Sequence, residues 1–218
     1  MGQIKAVLFD YDGTLMDTND IILESWQHTF RRLTGEECPE EKLYPTFGEP
    51  LRDTMKAFFP EEDTDACVAI YREYQSDFYH KEIRMFPGMK ELIFELKQKG
   101  YLTALVTSRA PGSTAEGLKK YGLTDAFDAV VTCGDTDKHK PDPEPIFICT
   151  RKLCIEPREA MMVGDTTFDI LCGKRAGTKT VLAGWSVAYT EEQKIAEETK
   201  PDYIIQKAAD LLQILGTK

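Results

Sequence analysis

The sequence has no excess of positive charge: 27 Lys and Arg stand against 37 Asp and Glu over 218 residues, a formal net charge of −10. A protein that binds nucleic acid by neutralising backbone phosphates needs a basic face, and no part of this chain supplies one. Long apolar runs are missing as well. The N-terminal stretch MGQIKAVLFDYDG is apolar for only a few residues before its aspartates, too short for a secretory signal or a membrane-spanning helix. Ala6 stands where a myristoylation motif needs Ser or Thr. Six cysteines are present (Cys38, Cys67, Cys133, Cys149, Cys154 and Cys172), but none forms a CxxC pair or lies at zinc-finger spacing. With no secretory signal before them, they read as reduced thiols, mostly small core residues, in a cytoplasmic protein. His28, His80 and His139 carry no ligand constellation, and neither repeats nor low-complexity segments occur. What remains, 42% hydrophobic and 29% charged residues, is the composition of a globular protein long enough for one or two domains.

Ile4–Asp10 is a short apolar run ending in acid, the pattern of a buried strand. Tyr101–Thr107, Ala126–Thr132, Ala160–Gly164, Thr178–Leu182 and Asp202–Ile205 read the same way. Helical patterns fill the gaps: Met89, Leu92, Ile93 and Leu96 ahead of Gly100, then Thr114–Tyr121, Pro143–Leu153, Thr166–Ala176 and Ala208–Leu215. Short buried strands alternating with helices predict an α/β fold, a doubly wound parallel sheet covered on both faces. One block breaks the alternation. Thr18 to Glu82 has no strand signal but carries two apolar stripes, Ile22/Trp26/Phe30/Leu33 ending at Gly35 and Cys67/Ile70/Tyr71/Tyr74/Phe78. Pro39, Pro45, Pro50 and Pro60 punctuate shorter helices between them. The expected organisation is a discontinuous core domain of residues 1–15 and 86–218, with residues 16–85 inserted as a helical cap domain and Met85-Phe86-Pro87-Gly88 as the hinge.

Ligands in open α/β sheets bind beyond the carboxyl ends of the strands. The residues there are Asp10-Tyr11-Asp12-Gly13-Thr14, Thr107-Ser108-Arg109, His139-Lys140-Pro141-Asp142-Pro143 and Gly164-Asp165-Thr166-Thr167-Phe168-Asp169. Carboxylates crowded at one edge repel each other and call for a cation, and an all-oxygen set suits Mg²⁺.

These segments, FDYDGTLMDT, VTSR, HKPDPEP and VGDTTFD, resemble the four ordered motifs of the haloacid dehalogenase superfamily of phosphohydrolases. DTNDIILESWQHTF followed by TFGEPLRDT is most similar to its pyrophosphatase and phosphoglycolate phosphatase branch. The resemblance implies Asp10 as the nucleophile that becomes an aspartyl phosphate, and Asp12 as the acid that protonates the leaving oxygen and then deprotonates water. Residues i and i+2 of a strand point the same way, so both carboxyls can reach one phosphoryl group. By the same resemblance, Asp10, the Asp12 carbonyl and Asp165 would hold Mg²⁺. Gly13, Thr107, Ser108 (through an N–H at a helix start) and Lys140 would bind phosphate. Asp169, one turn past Asp165, would pair with Lys140 or hold metal-bound water. Tyr11 fills a slot where the family has a smaller aliphatic, Arg109 stands where lysine is more usual, and Glu49 where proline is.

Other residues have plainer readings. Thr166 and Thr167 suit a helix N-terminus, the aromatic stripe suits a cap core, and Arg52 suits a solvated surface. The expected activity is Mg²⁺-dependent hydrolysis of a small phosphorylated metabolite or pyrophosphate, the partner being that small substrate and neither nucleic acid nor membrane. Two alternatives stand beside it: a β-phosphoglucomutase-like phosphotransferase, against which Gly164 replaces that enzyme's extra acid, and a receiver-like phosphorylatable module, half this length and without the insertion. The net acidity first counts against an anionic substrate. That objection falls once part of the acid is assigned to a cation site with Lys140 beside it.

Overall fold

A computed structural model describes residues 3–190, 193 and 195–216, with backbone only for 77–82. Phe78, His80 and Lys81 therefore have side chains outside the described residues. Six strands form one fully parallel sheet: β1 (Ala6–Phe9), β4 (Leu102–Val106), β5 (Ala129–Val131), β6 (Ala160–Gly164), β7 (Lys179–Ala183) and β8 (Tyr203–Ile205). The spatial order is β5-β4-β1-β6-β7-β8, so the winding reverses direction at β1. That switch point puts the carboxyl end of β1 at the natural crevice of the sheet.

Side chains alternate across each strand. Val7 and Phe9 pack on one face with Met89, Ile93 and Leu96 of α5 (Met89–Gln98) and Leu211 of α9 (Asp210–Ile214). Ala6 and Leu8 pack on the other with Ile146 and Cys149 of α7 (Glu144–Lys152) and Cys172 of α8 (Thr167–Ala176). Both faces being covered explains why β1 reads as an unbroken apolar run. α6 (Pro111–Lys120) follows β4 and adds Leu118 to the face that holds Val7 and Phe9.

The stretch after β1 is helical: α1 (Asn19–Thr34), α2 (Glu40–Leu43), α3 (Leu51–Phe58) and α4 (Thr64–Glu82). Its apolar cluster, joined by Ala188 from the loop after β7, has Trp26 meeting Phe58 and Tyr71 edge-on with ring centroids 5.5 and 5.2 Å apart. The chain enters and leaves this stretch through a two-stranded antiparallel ribbon, β2 (Met16–Asp17) with β3 (Arg84–Met85), closed by Phe86 N–H donating to Leu15 O at 2.9 Å. The ribbon was not expected; two residues per strand are too few for a period-2 signal. Gly35 caps α1 in the left-handed conformation, as its position predicts. Four of the six thiols, Cys38, Cys67, Cys149 and Cys172, are buried, Cys154 is exposed, and all six are free. Among the described residues no helix is long and apolar enough to cross a membrane.

Candidate active site

The turn after β1 carries the first acids. Asp10 N–H continues the sheet by donating to Val163 O at 2.9 Å, so its side chain is fixed at the strand end. The chain then bends at Gly13, whose φ is +71°. A Cβ at Gly13 would collide with the Asp165 carboxylate, so glycine is what lets the turn and the acid after β6 approach each other. Trp185 Nε1 donates to Gly13 O at 3.1 Å and Ser186 Oγ to Asp165 O at 2.6 Å, so the loop after β7 fastens both acidic turns from behind.

Asp10, Asp165 and Asp169 are buried and offer carboxylate oxygens within 4.8 Å of one another. Lys140, 4% exposed, sits among them and donates to Asp10 Oδ1 at 2.7 Å, Asp169 Oδ1 at 2.6 Å and Val106 O at 3.4 Å. Burial opposes the Lys140 charge, yet Asp10 and Asp169 outweigh it and hold the ammonium above its ordinary range. One ammonium cannot satisfy three acids. Burial, with Asp169 and Asp12 nearby, pushes Asp10 up to about 7 in spite of Lys140. Asp165 is also raised well above the ordinary carboxylate range, by burial and then by Asp169 and Asp10.

The hydrogen bonds separate the three acids by task. Asp169 has both oxygens engaged, Oδ1 by Lys140 and Oδ2 by the N–H and hydroxyl of Thr166 at 3.1 and 2.7 Å, a capping box that starts α8. Asp165 Oδ1 accepts from Thr14 Oγ1 at 3.1 Å, and Asp10 Oδ1 is held by Lys140. Among the described residues no hydrogen bond reaches the second oxygens of Asp10 and Asp165, which face a prospective ligand. Fully ionised, three carboxylates against one ammonium would leave two negative charges in a buried all-oxygen site, the donor chemistry of a hard divalent cation.

Asp10, Asp12, Gly13, Thr107, Ser108, Lys140 and Asp165 all line one cavity of about 200 Å³, roofed by Phe47, Gly48, Glu49 and Tyr71 of the helical stretch. Asp169 stands outside that lining, behind Lys140. Ser108 Oγ is buried with no hydrogen-bond partner, a hydroxyl left for a ligand. The Ser108 N–H is not at a helix start, however: α6 begins at Pro111, whose fixed φ suits the first helical position, so Ser108 lies in the preceding loop. Asp12 does not join the carboxylate cluster. Its two oxygens accept from Arg109 Nη1 at 2.9 and 3.1 Å.

Sequence reasoning missed this Arg109–Asp12 pair, which spans 97 positions. It also missed Thr14 as a partner of Asp165, and Trp185 and Ser186. The last two follow a strand end and would have been found by reading β7 as the other strands were read. Gly48 was missed as well: at φ +89° it lies against the core, where a Cβ would come within 2.9 Å of Thr166 Oγ1 and 3.3 Å of Phe168.

Residues 7–183 match the family model described as haloacid dehalogenase-like hydrolase. The chain is 36% identical over 216 residues to pyrophosphatase PpaX of Bacillus velezensis, covering 99% of this chain and 98% of that protein. It is 34% identical over 216 residues to pyrophosphatase PpaX of Halalkalibacterium halodurans, covering 99% of each. Among solved structures it is similar to a haloacid dehalogenase-like hydrolase from Streptococcus pneumoniae, with TM-score 0.83, 24% identity and coverage of 98% of this chain and 99% of that one. A predicted phosphoglycolate phosphatase from Haemophilus somnus matches with TM-score 0.83, 22% identity and coverage of 98% and 99%. At such identities these structures speak for the fold alone.

Proposed function

Since the chain belongs to the haloacid dehalogenase-like hydrolases, we propose that it is a Mg²⁺-dependent phosphohydrolase acting on pyrophosphate or a small phosphorylated metabolite such as phosphoglycolate. The observation that carries this reading is the buried cluster of Asp10, Asp165 and Asp169 around one lysine at the sheet edge. Asp10, Asp165 and the Asp12 carbonyl would hold the cation, which when bound neutralises phosphate charge and keeps Asp10 ionised.

Asp10 attacks phosphorus: the bond from its carboxylate oxygen to phosphorus forms as the bond from phosphorus to the leaving oxygen breaks. Asp12 gives its proton to that oxygen and recovers one from the water that cleaves the aspartyl phosphate. Lys140, tethered at Asp169, keeps positive charge beside the transferring group, while Thr107 and Ser108 orient its oxygens. Residues 16–85 act as a cap domain, closing over the cavity and expelling water before chemistry. The six free thiols suit a cytoplasmic setting.

A mutase is disfavoured on a specific ground. A side chain at Gly164 would overlap Asp169, which leaves no room for an extra acid there. The test is turnover of pyrophosphate, phosphoglycolate and p-nitrophenyl phosphate with Mg²⁺. Chelation should stop hydrolysis and Asp10→Asn should lower kcat by more than about 10³-fold; normal turnover of the variant would refute the nucleophile assignment.

A further inference from the structure

Arg109 is held by two partners. Its Nη1 spans both oxygens of Asp12, and its guanidinium lies over the Tyr11 ring, 5.0 Å from the centroid. Tyr11 is itself fully buried, with its hydroxyl packed where a Cβ on Gly117 would otherwise sit. The pair borders the cavity, with side chains 10% (Arg109) and 25% (Asp12) exposed. Lys140 is committed to Asp10 and Asp169, so it does not compete for this position. While Arg109 occupies both Asp12 oxygens, neither can reach a leaving oxygen. At the cavity wall an incoming anion competes with Asp12 for this guanidinium, and a charge-assisted contact is given up most readily where another takes its place.

We infer that Arg109 is a specificity-determining residue that selects substrates whose leaving group carries its own negative charge, a second phosphate or a carboxylate, by exchanging Asp12 for that anion. The inference rests on the phosphohydrolase reading. Once exchanged, the Asp12 carboxylate takes up a proton from solvent and delivers it to the leaving oxygen, which keeps the electron pair of the broken bond to phosphorus while Asp10 takes its place on phosphorus. The hydrolytic water then returns a proton to Asp12, which releases it to solvent, and departure of the anionic product lets Arg109 close on the Asp12 carboxylate again. A neutral alcohol leaving group offers Arg109 nothing in exchange.

The experiment compares kcat/KM for pyrophosphate and glycerol phosphate in the wild type, Arg109→Gln and Arg109→Lys. The ratio of the two should fall about 10–100-fold in Arg109→Gln, the loss of one charge-assisted contact, and Arg109→Lys should recover most of it. A ratio unchanged within about threefold overturns the proposal. Hydrolysis of pyrophosphate or phosphoglycolate by the wild type checks the underlying activity separately: turnover of neither would sink both readings, while turnover with an unchanged ratio sinks this one alone. Should Arg109→Gln fail to fold, wild-type inhibition decides: phosphonoacetate should bind at least about tenfold tighter than methylphosphonate. Equal inhibition by the two overturns the assignment.

Discussion

Replacing Asp10 by Asn should stabilise the protein in the absence of divalent cations while destroying its activity. The reason lies in the charge balance around Lys140. Asn keeps an oxygen for Lys140 to donate to, but removes one of three buried carboxylates sharing a single ammonium. Burial raises the Asp10 carboxyl from an ordinary 3.8 to about 7, which at about 1.4 kcal/mol per pH unit makes its ionised form cost about 4 kcal/mol of stability near pH 8. A carboxyl whose folded pKa is raised lends its full stability below the unfolded value and loses it as pH climbs through the folded one. The wild type therefore weakens from about pH 4 to pH 7 at this site, and the Asn variant does not. For a chain this long, about 4 kcal/mol corresponds to a Tm advantage of about 8–16 °C at pH 8, shrinking to less than half near pH 5. Urea or thermal unfolding in EDTA at both pH values reads the effect, and adding Mg²⁺ should lift the wild type more than the variant. A variant no more stable than wild type at pH 8 in EDTA, or an advantage independent of pH, would refute the argument.

The same raised carboxyl predicts the pH dependence of metal binding. Below about pH 7 the cation must displace a proton from Asp10, and the raised Asp165 adds to the demand, so apparent Mg²⁺ affinity by calorimetry should fall at least about tenfold per pH unit. Gly48→Ala should lower kcat/KM at least about tenfold, because alanine is strained at φ +89° and its Cβ would press on Thr166 Oγ1, so the loop roofing the cavity must shift. Gly117→Ala should cost about 1–3 kcal/mol by pressing on the Tyr11 hydroxyl, and Tyr11→Phe should recover part of that loss in a double-mutant cycle.

Much of the sheet was legible because its signal is local. Each core strand is a short apolar run, and Ala160–Gly164 matches the observed β6 at both ends. Elsewhere ends shifted by one to three residues, as with Ala126–Thr132 against β5 at Ala129–Val131. There Asp128 caps the strand start instead, taking the Thr103 N–H at 2.8 Å and the Lys97 ammonium at 2.9 Å. The β2–β3 ribbon escaped because its pairing joins residues nearly seventy positions apart through two-residue strands.

The acidic site was legible for a similar reason, since strand ends gather at one edge and the residues just beyond them must converge. What convergence does not specify is which acid pairs with which base. Lys140 could have faced solvent, and Asp12 could have stood beside Asp10; only the fold decides that Lys140 bridges Asp10 to Asp169 and that Arg109 takes Asp12. The supports are less visible still, because Thr14, Trp185 and Ser186 act through single hydrogen bonds to the acidic turns rather than through charge. The unequal legibility follows from the energetics. Crowded carboxylates oppose folding, so acids kept at converging strand ends mark the sequence conspicuously. The groups that hold them in place lower that cost by ordinary contacts, which any packed protein makes and no pattern distinguishes.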